Sequence, residues 1–170
     1  MTYQHRAEAV QAADGDNAAR LAEANINPVT GFATDYLNHF NEAVMLLEML
    51  PDCPDFLADL MAWKPMSYRE HFLSSHFKAR DLAIEAYGAA DPALRDCLDT
   101  MATTMSAVLE ATRDSLRADM PREETAKLAG QAVAWIKPLL ASANAVINGE
   151  GDGETTNAQA MADQLMKKAL

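Results

Sequence analysis

Residues 91–116 read DPALRDCLDTMATTMSAVLEATRDSL. Within them Leu94, Leu98, Met101, Met105, Val108 and Thr112 recur at alternating steps of four and three, with Leu116 four further on, a heptad-like apolar stripe. Asp91 stands where a side-chain oxygen can accept the first free backbone N–H groups of a helix. Pro92 follows it, and proline is tolerated in a first turn. The spacing predicts a helix over 92–118, roughly 40 Å long at 1.5 Å per residue.

Outward from that stretch the pattern stays helical. Pro121 opens a second long helix, expected over 121–148, with Glu123 and Glu124 at its positive end and Leu128, Ala132, Trp135, Leu139 and Val146 along it. Pro138 lies inside it and is expected to kink it by removing the bond to the Ala134 carbonyl. Asn148-Gly149 is its stop. On the N-terminal side, Tyr36, Phe40, Val44 and Leu47 mark a helix over 34–50, with Thr34 as the expected N-cap and Pro51 ending it. A short helix is expected over 54–63. Ser67-Tyr68-Arg69-Glu70 is a capping box, opening a helix expected to run unbroken over 68–87 to Gly88. A last amphipathic helix is expected over 157–170, carrying Met161, Leu165 and Met166, with Lys167 and Lys168 near its end.

The fold class is therefore all-α, a single-domain bundle of about six helices. Three segments divide it: a weakly structured stretch over 1–30, the bundle over 31–148, and an acidic Gly-rich loop with the final helix over 149–170. Val and Ile are scarce, and no stretch alternates apolar and polar side chains over strand length. Nine of the eleven aromatic residues lie between positions 32 and 87. The later half replaces them with Ala, Met, Ser and Thr, which let helices approach closely.

Charge excludes some functions. Lys plus Arg total 14 against 25 Asp plus Glu, a formal net charge of −11. Phosphate backbones and anionic membranes need clustered Lys and Arg, so neither nucleic acid nor membrane is an expected partner. The apolar runs over 44–47 and 132–136 are far too short to span a bilayer. No apolar leader follows the N-terminus. Cys53 and Cys97 lack metal-type spacing and read as thiols of a cytoplasmic protein. The stretch 21–63 holds seven acids and no Lys or Arg, whereas 64–80 holds four basic residues, one acid and two His. That contrast would suit a hairpin with opposite charges facing.

Four residues invite chemistry. His39 and Glu42 are one turn apart, and His71 and His76 lie beyond Glu70. Bundles build metal sites from Glu-x-x-His pairs on facing helices. Here only one such pair occurs, in reversed order. His76 sits in His76-Phe77-Lys78-Ala79-Arg80, while the histidine phosphotransfer motif is His-x-x-Lys-Gly; the Lys comes one position early and the Gly is absent. Its expected place is a buried face shared with Phe72 and Ala79. The acidic turns over 14–17 and 150–154 lack calcium-loop spacing. Trp63 and Met66 bracket a kink and would form a docking patch if exposed, though burial is the commoner fate. The stretch 132–147 is apolar on nearly every side, which places it centrally or in an interface.

No motif here identifies a reaction. The favoured reading is a non-catalytic helical interaction or regulatory protein, a homodimer, with no cofactor. The alternatives are a metal- or small-ligand-binding bundle using His39, Glu42, His71 and His76, and a phosphorelay component using His76.

Overall fold

The computed structural model describes residues 14–150, and among these the fold is all-α with no strand. Residues 14–23 form α1, and a 3-10 turn over Thr34–Leu37 leads into α2, Asn38–Met49. Then come α3 (Phe56–Ala62), α4 (Tyr68–Ser74), α5 (Arg80–Ala89), α6 (Pro92–Ser115) and α7 (Arg122–Asn148). The helix expected over 157–170, with most of the loop before it, lies outside the described residues.

The two long helices start and stop as their local chemistry requires. The Asp91 carboxylate accepts from the backbone N–H of Ala93 at 2.7 Å and of Leu94 at 3.3 Å, and Pro92 occupies the first turn of α6. At the end of α7, Gly149 takes a left-handed conformation (φ 72°), while the Glu150 and Gly149 N–H groups donate to the carbonyls of Ala145 and Val146. That is a Schellman closure. Thr30 adds a side-chain cap, its hydroxyl donating to the Ile147 carbonyl at 2.6 Å. Helix α7 runs unbroken through Pro138. Both Pro138 and Ala134 are on its exposed side, where water can satisfy the carbonyl that proline leaves unbonded.

Helix α7 is the hub, packing against α6, α2 and the 3-10 turn. Ala129, Ala132, Ile136, Leu139 and Ala143 form its buried line, close-set because most are small. Leu98, Met101, Met105 and Leu109 are the buried part of α6. The aromatic half closes over the other side: Phe32, Tyr36, Tyr68, Phe72 and Tyr87 pack with their rings tilted to one another, except Tyr68 and Tyr87, which stack at 4.4 Å. The Tyr87 hydroxyl donates to Asp99 at 2.6 Å, tying α5 to α6. Burial, then that carboxylate, pushes the phenol well above its usual range.

Three expectations change. The helix expected over 68–87 is two helices, broken at 75–79. Its capping box forms as expected, Ser67 and Glu70 each accepting the other's backbone N–H. Yet Ser75 turns extended (ψ 162°), its hydroxyl accepting from the Phe77 N–H, while Ser74 bonds back to the Glu70 carbonyl. Serine hydroxyls compete with the helical ladder in this way, and Phe77 swings in to meet the Phe72 ring at 5.1 Å. Second, Thr34 does not cap by its side chain; Ala33 takes the N-cap place, and its own N–H goes to the Tyr68 hydroxyl at 2.9 Å. Third, of the opposite charges in 21–63 and 64–80 only His71 and Asp35 meet, at 3.0 Å, and no Lys or Arg of the second stretch pairs with an acid of the first. Asp52 and Glu48 pair instead with Arg122 and Lys137 of α7. All four side chains are well exposed, so solvent screens both pairs and neither holds the fold together.

Residues 14–30, read from sequence within a weakly structured segment, place Leu21, Ile26 and Thr30 among the buried residues. The Asn27 side chain accepts from the N–H groups of Val29 and Thr30 and shapes a tight loop. Gly31 follows at φ 76°, and a Cβ there would lie 2.9 Å from the Ala86 carbonyl oxygen. Gly31→Ala is therefore expected to destabilise the fold by about 2 kcal/mol, lowering the thermal midpoint by roughly 4–8 °C. A midpoint within a degree of the parent would show that the loop can move off α5 freely.

Candidate functional site

The structure brings two of the four candidate residues together. His39 on α2 and His71 on α4 are both buried, their ring centroids 6.2 Å apart. The His39 ring stacks on the Trp63 indole at 4.7 Å and 18°. Its Nε2 lies 2.8 Å from the Lys64 carbonyl, so that nitrogen carries the hydrogen and donates. The Trp63 indole N–H donates in turn to the His39 carbonyl at 3.1 Å. Arg113 of α6 donates to the Trp63 carbonyl at 2.9 Å, and the Tyr36 hydroxyl donates to that of Met66 at 3.0 Å. His71 Nε2 meets Asp35 Oδ2 at 3.0 Å, and Asp35 Oδ1 accepts from Asn38.

Burial lowers the pKa of His39, and the neighbouring His71 pushes the same way; the Lys64 carbonyl and Glu42 pull against both. The ring thus sits neutral against Trp63. Glu42 itself lies on the exposed side of α2. Among the described residues no three His, Cys, Asp or Glu side chains converge as a metal-ligand set. Trp63 is 7 % exposed, so the expected alternative of a docking patch at Trp63 and Met66 does not hold: the indole is spent on His39.

His76 is exposed, a correction to the face expected beside Phe72. The break at Ser75 removes it from the α4 register and leaves it on the wall of an open cleft of about 570 Å³ with Asp35, Asn38 and Lys78. Cys53 and Cys97 are free and half-buried. Burial pushes the Cys97 thiol up, away from the reactive thiolate.

A different place is left uncovered by the described residues. Between α6 and α7 runs a groove of about 260 Å³, and none of its lining side chains is charged. Ala107, Val108 and Ala111 line it from α6, Leu128, Ala132 and Trp135 from α7. The hydroxyls of Thr104, Thr112 and Ser115 also line it, yet each donates to the carbonyl four residues back at 2.7–2.9 Å. Such back-bonding satisfies the hydroxyls within α6, so the groove offers mainly carbon. Trp135 is 45 % exposed beside it. Sequence reading set Trp135 along this helix in one series with Ala132 and Leu139. The buried line passes instead through Ala132, Ile136 and Leu139, one position round the helix. The spacing of Ala129, Ile136 and Ala143 was the available signal.

The neutral state of His39 has a pH consequence. Its folded pKa is lowered, so below the ordinary value of about 6.5 the unfolded chain binds more protons. The stability it contributes is whole above that pH and is lost as the pH falls below it toward the lowered folded value. Acidifying from about pH 7.5 to 5.5 should lower the unfolding midpoint. Part of that loss should vanish in His39→Gln, whose amide can still donate to the Lys64 carbonyl. Equal pH slopes in parent and variant would show that another group titrates.

No protein-family model, no curated protein and no solved structure matches this chain.

Proposed function

We propose that this chain is a non-catalytic helical interaction or regulatory protein that pairs with a second copy of itself through the α6–α7 groove. The observation carrying this reading is the exposed Trp135 beside an uncharged hollow. Tryptophan is the side chain most enriched at the energetic centres of protein interfaces. A two-fold contact must be self-complementary, and this patch holds both parts: a large ring at one end and a hollow walled by Ala107 and Ala111. Two copies that each carry a net charge of −11 repel, and an uncharged face is where they approach at least cost.

The polar cluster supports the non-catalytic part. His39, His71, Trp63, Tyr36 and Arg113 spend their hydrogen bonds on backbone carbonyls or on Asp35. No helix among the described residues is long and apolar enough to cross a membrane. Two free thiols suit a cytoplasmic setting, which belongs to the proposal. One observation favours a second reading, phosphorelay through His76: its ring is exposed, as phosphoryl transfer requires. Its motif still lacks the lysine spacing and the glycine.

Sedimentation across micromolar to millimolar concentration tests the pairing. A reversible dimer is expected. Ala111 is exposed, so Ala111→Arg should keep the fold and abolish the dimer. Trp135→Ala should weaken it about 30-fold, the effect of losing about 2 kcal/mol. A species of 18.5 kDa at every concentration, or a dimer indifferent to both substitutions, would sink the reading.

A further inference from the structure

The groove has a candidate occupant within the same chain. Helix α7 ends at Asn148, and the Trp135 end of the groove lies thirteen residues back along it, about 20 Å at 1.5 Å per residue. Residues 149–156 can span up to roughly 26 Å when extended. Residues 157–170 follow; their structure lies outside the described residues, but their sequence is informative. Met161 and Leu165 are four apart, with Met166 beside them, and the segment has two Lys against one Asp in a chain that is otherwise strongly acidic. As a helix, fourteen residues would run about 21 Å, enough to lie along α6 from Thr104 to Ser115.

Direction is set by the tether: the Leu128 end lies twenty residues back from Asn148, about 30 Å, beyond that reach. A segment entering at Trp135 and running toward Leu128 brings Lys167 and Lys168 to the end where α6 stops and α7 starts. Exposed Asp114, Glu123 and Glu124 stand there together with Arg117, Arg122 and Lys127, and Asp114 already lies 3.8 Å from Arg113.

We infer that residues 157–170 dock in the α6–α7 groove of their own chain, with Met161 and Leu165 against Trp135 and the hollow, and so compete with the second copy. This rests on the groove being the pairing surface. A tethered segment at roughly millimolar effective concentration needs only weak intrinsic affinity to hold the groove for most of the time. Self-association is then damped until the segment is displaced.

Leu165→Glu in the full chain tests this, with Leu165→Met as the conservative control. At low micromolar concentration, where the chain is monomeric, Leu165→Glu should shift tryptophan emission to the red and raise its quenching by acrylamide. Trp63 is buried, so its emission is a constant background in every variant. At higher concentration the same variant should dimerise about tenfold more tightly or better, as expected when a tethered competitor is removed. Leu165→Met should match the parent in both. Unchanged quenching in Leu165→Glu would overturn the inference, whatever the oligomeric state. Raised quenching with no self-association in any chain would leave the tail in the groove and sink the second-copy reading alone. Unchanged quenching with a dimer that Ala111→Arg abolishes would do the reverse.

Discussion

The bundle depends on how an extended strip, residues 63–67, is held between its helices. Four turns of chain chemistry meet there. Trp63 and His39 stack, and each bonds the other's stretch of backbone, indole to the His39 carbonyl and imidazole to the Lys64 carbonyl. Arg113 takes the Trp63 carbonyl and Tyr36 that of Met66. An extended segment cannot satisfy its own backbone as a helix does, and a buried unbonded carbonyl is costly. Here side chains from the 3-10 turn, α2 and α6 supply the partners. The strip thereby fixes where α3 ends, where α4 begins, and how α6 stands against both.

With α6 held on that side and Thr30 capping α7 on the other, the two long helices meet along a line of small residues. Close approach leaves their outer flanks short of cover. On α6 the flanking threonines and serine turn their hydroxyls to their own carbonyls, presenting methyls and Cβ atoms outward. On α7 the buried line runs through Ile136, so the indole one position earlier projects at the rim. The groove follows from the same small-residue packing that makes the hub, and its neutrality contrasts with the acidity around it.

Much of the fold was legible locally. Asp91-Pro92, the Ser67–Glu70 box and Asn148-Gly149 act through groups within a few residues, so each appears where the sequence places it. The break at Ser75 was not legible, because a serine hydroxyl suits a helix or a turn nearly equally. The place awaiting Phe77 against Phe72 belongs to the tertiary fold, and it accompanies the turn. His76 moved from an expected buried face to the surface for that reason. Glu42, one turn from His39 in sequence, stayed outside because only one side of α2 faces the core.

The sequence by itself determined the helical class, the two long helices, both their starts and the end of α7, since periodicity and caps are short-range; α6 stops at Ser115, short of the expected 118. It also determined the acidity, which is a matter of counting. Only the tertiary structure decided that His39 and His71 face each other, that Asp52 and Glu48 reach α7, and that Trp135 stands outside the core. Each of those depends on the rotation of one helix about its axis against another. A rotation of one residue, about 100°, reassigns a side chain from core to rim, and a stripe rich in Ala leaves that angle open until neighbouring helices set it.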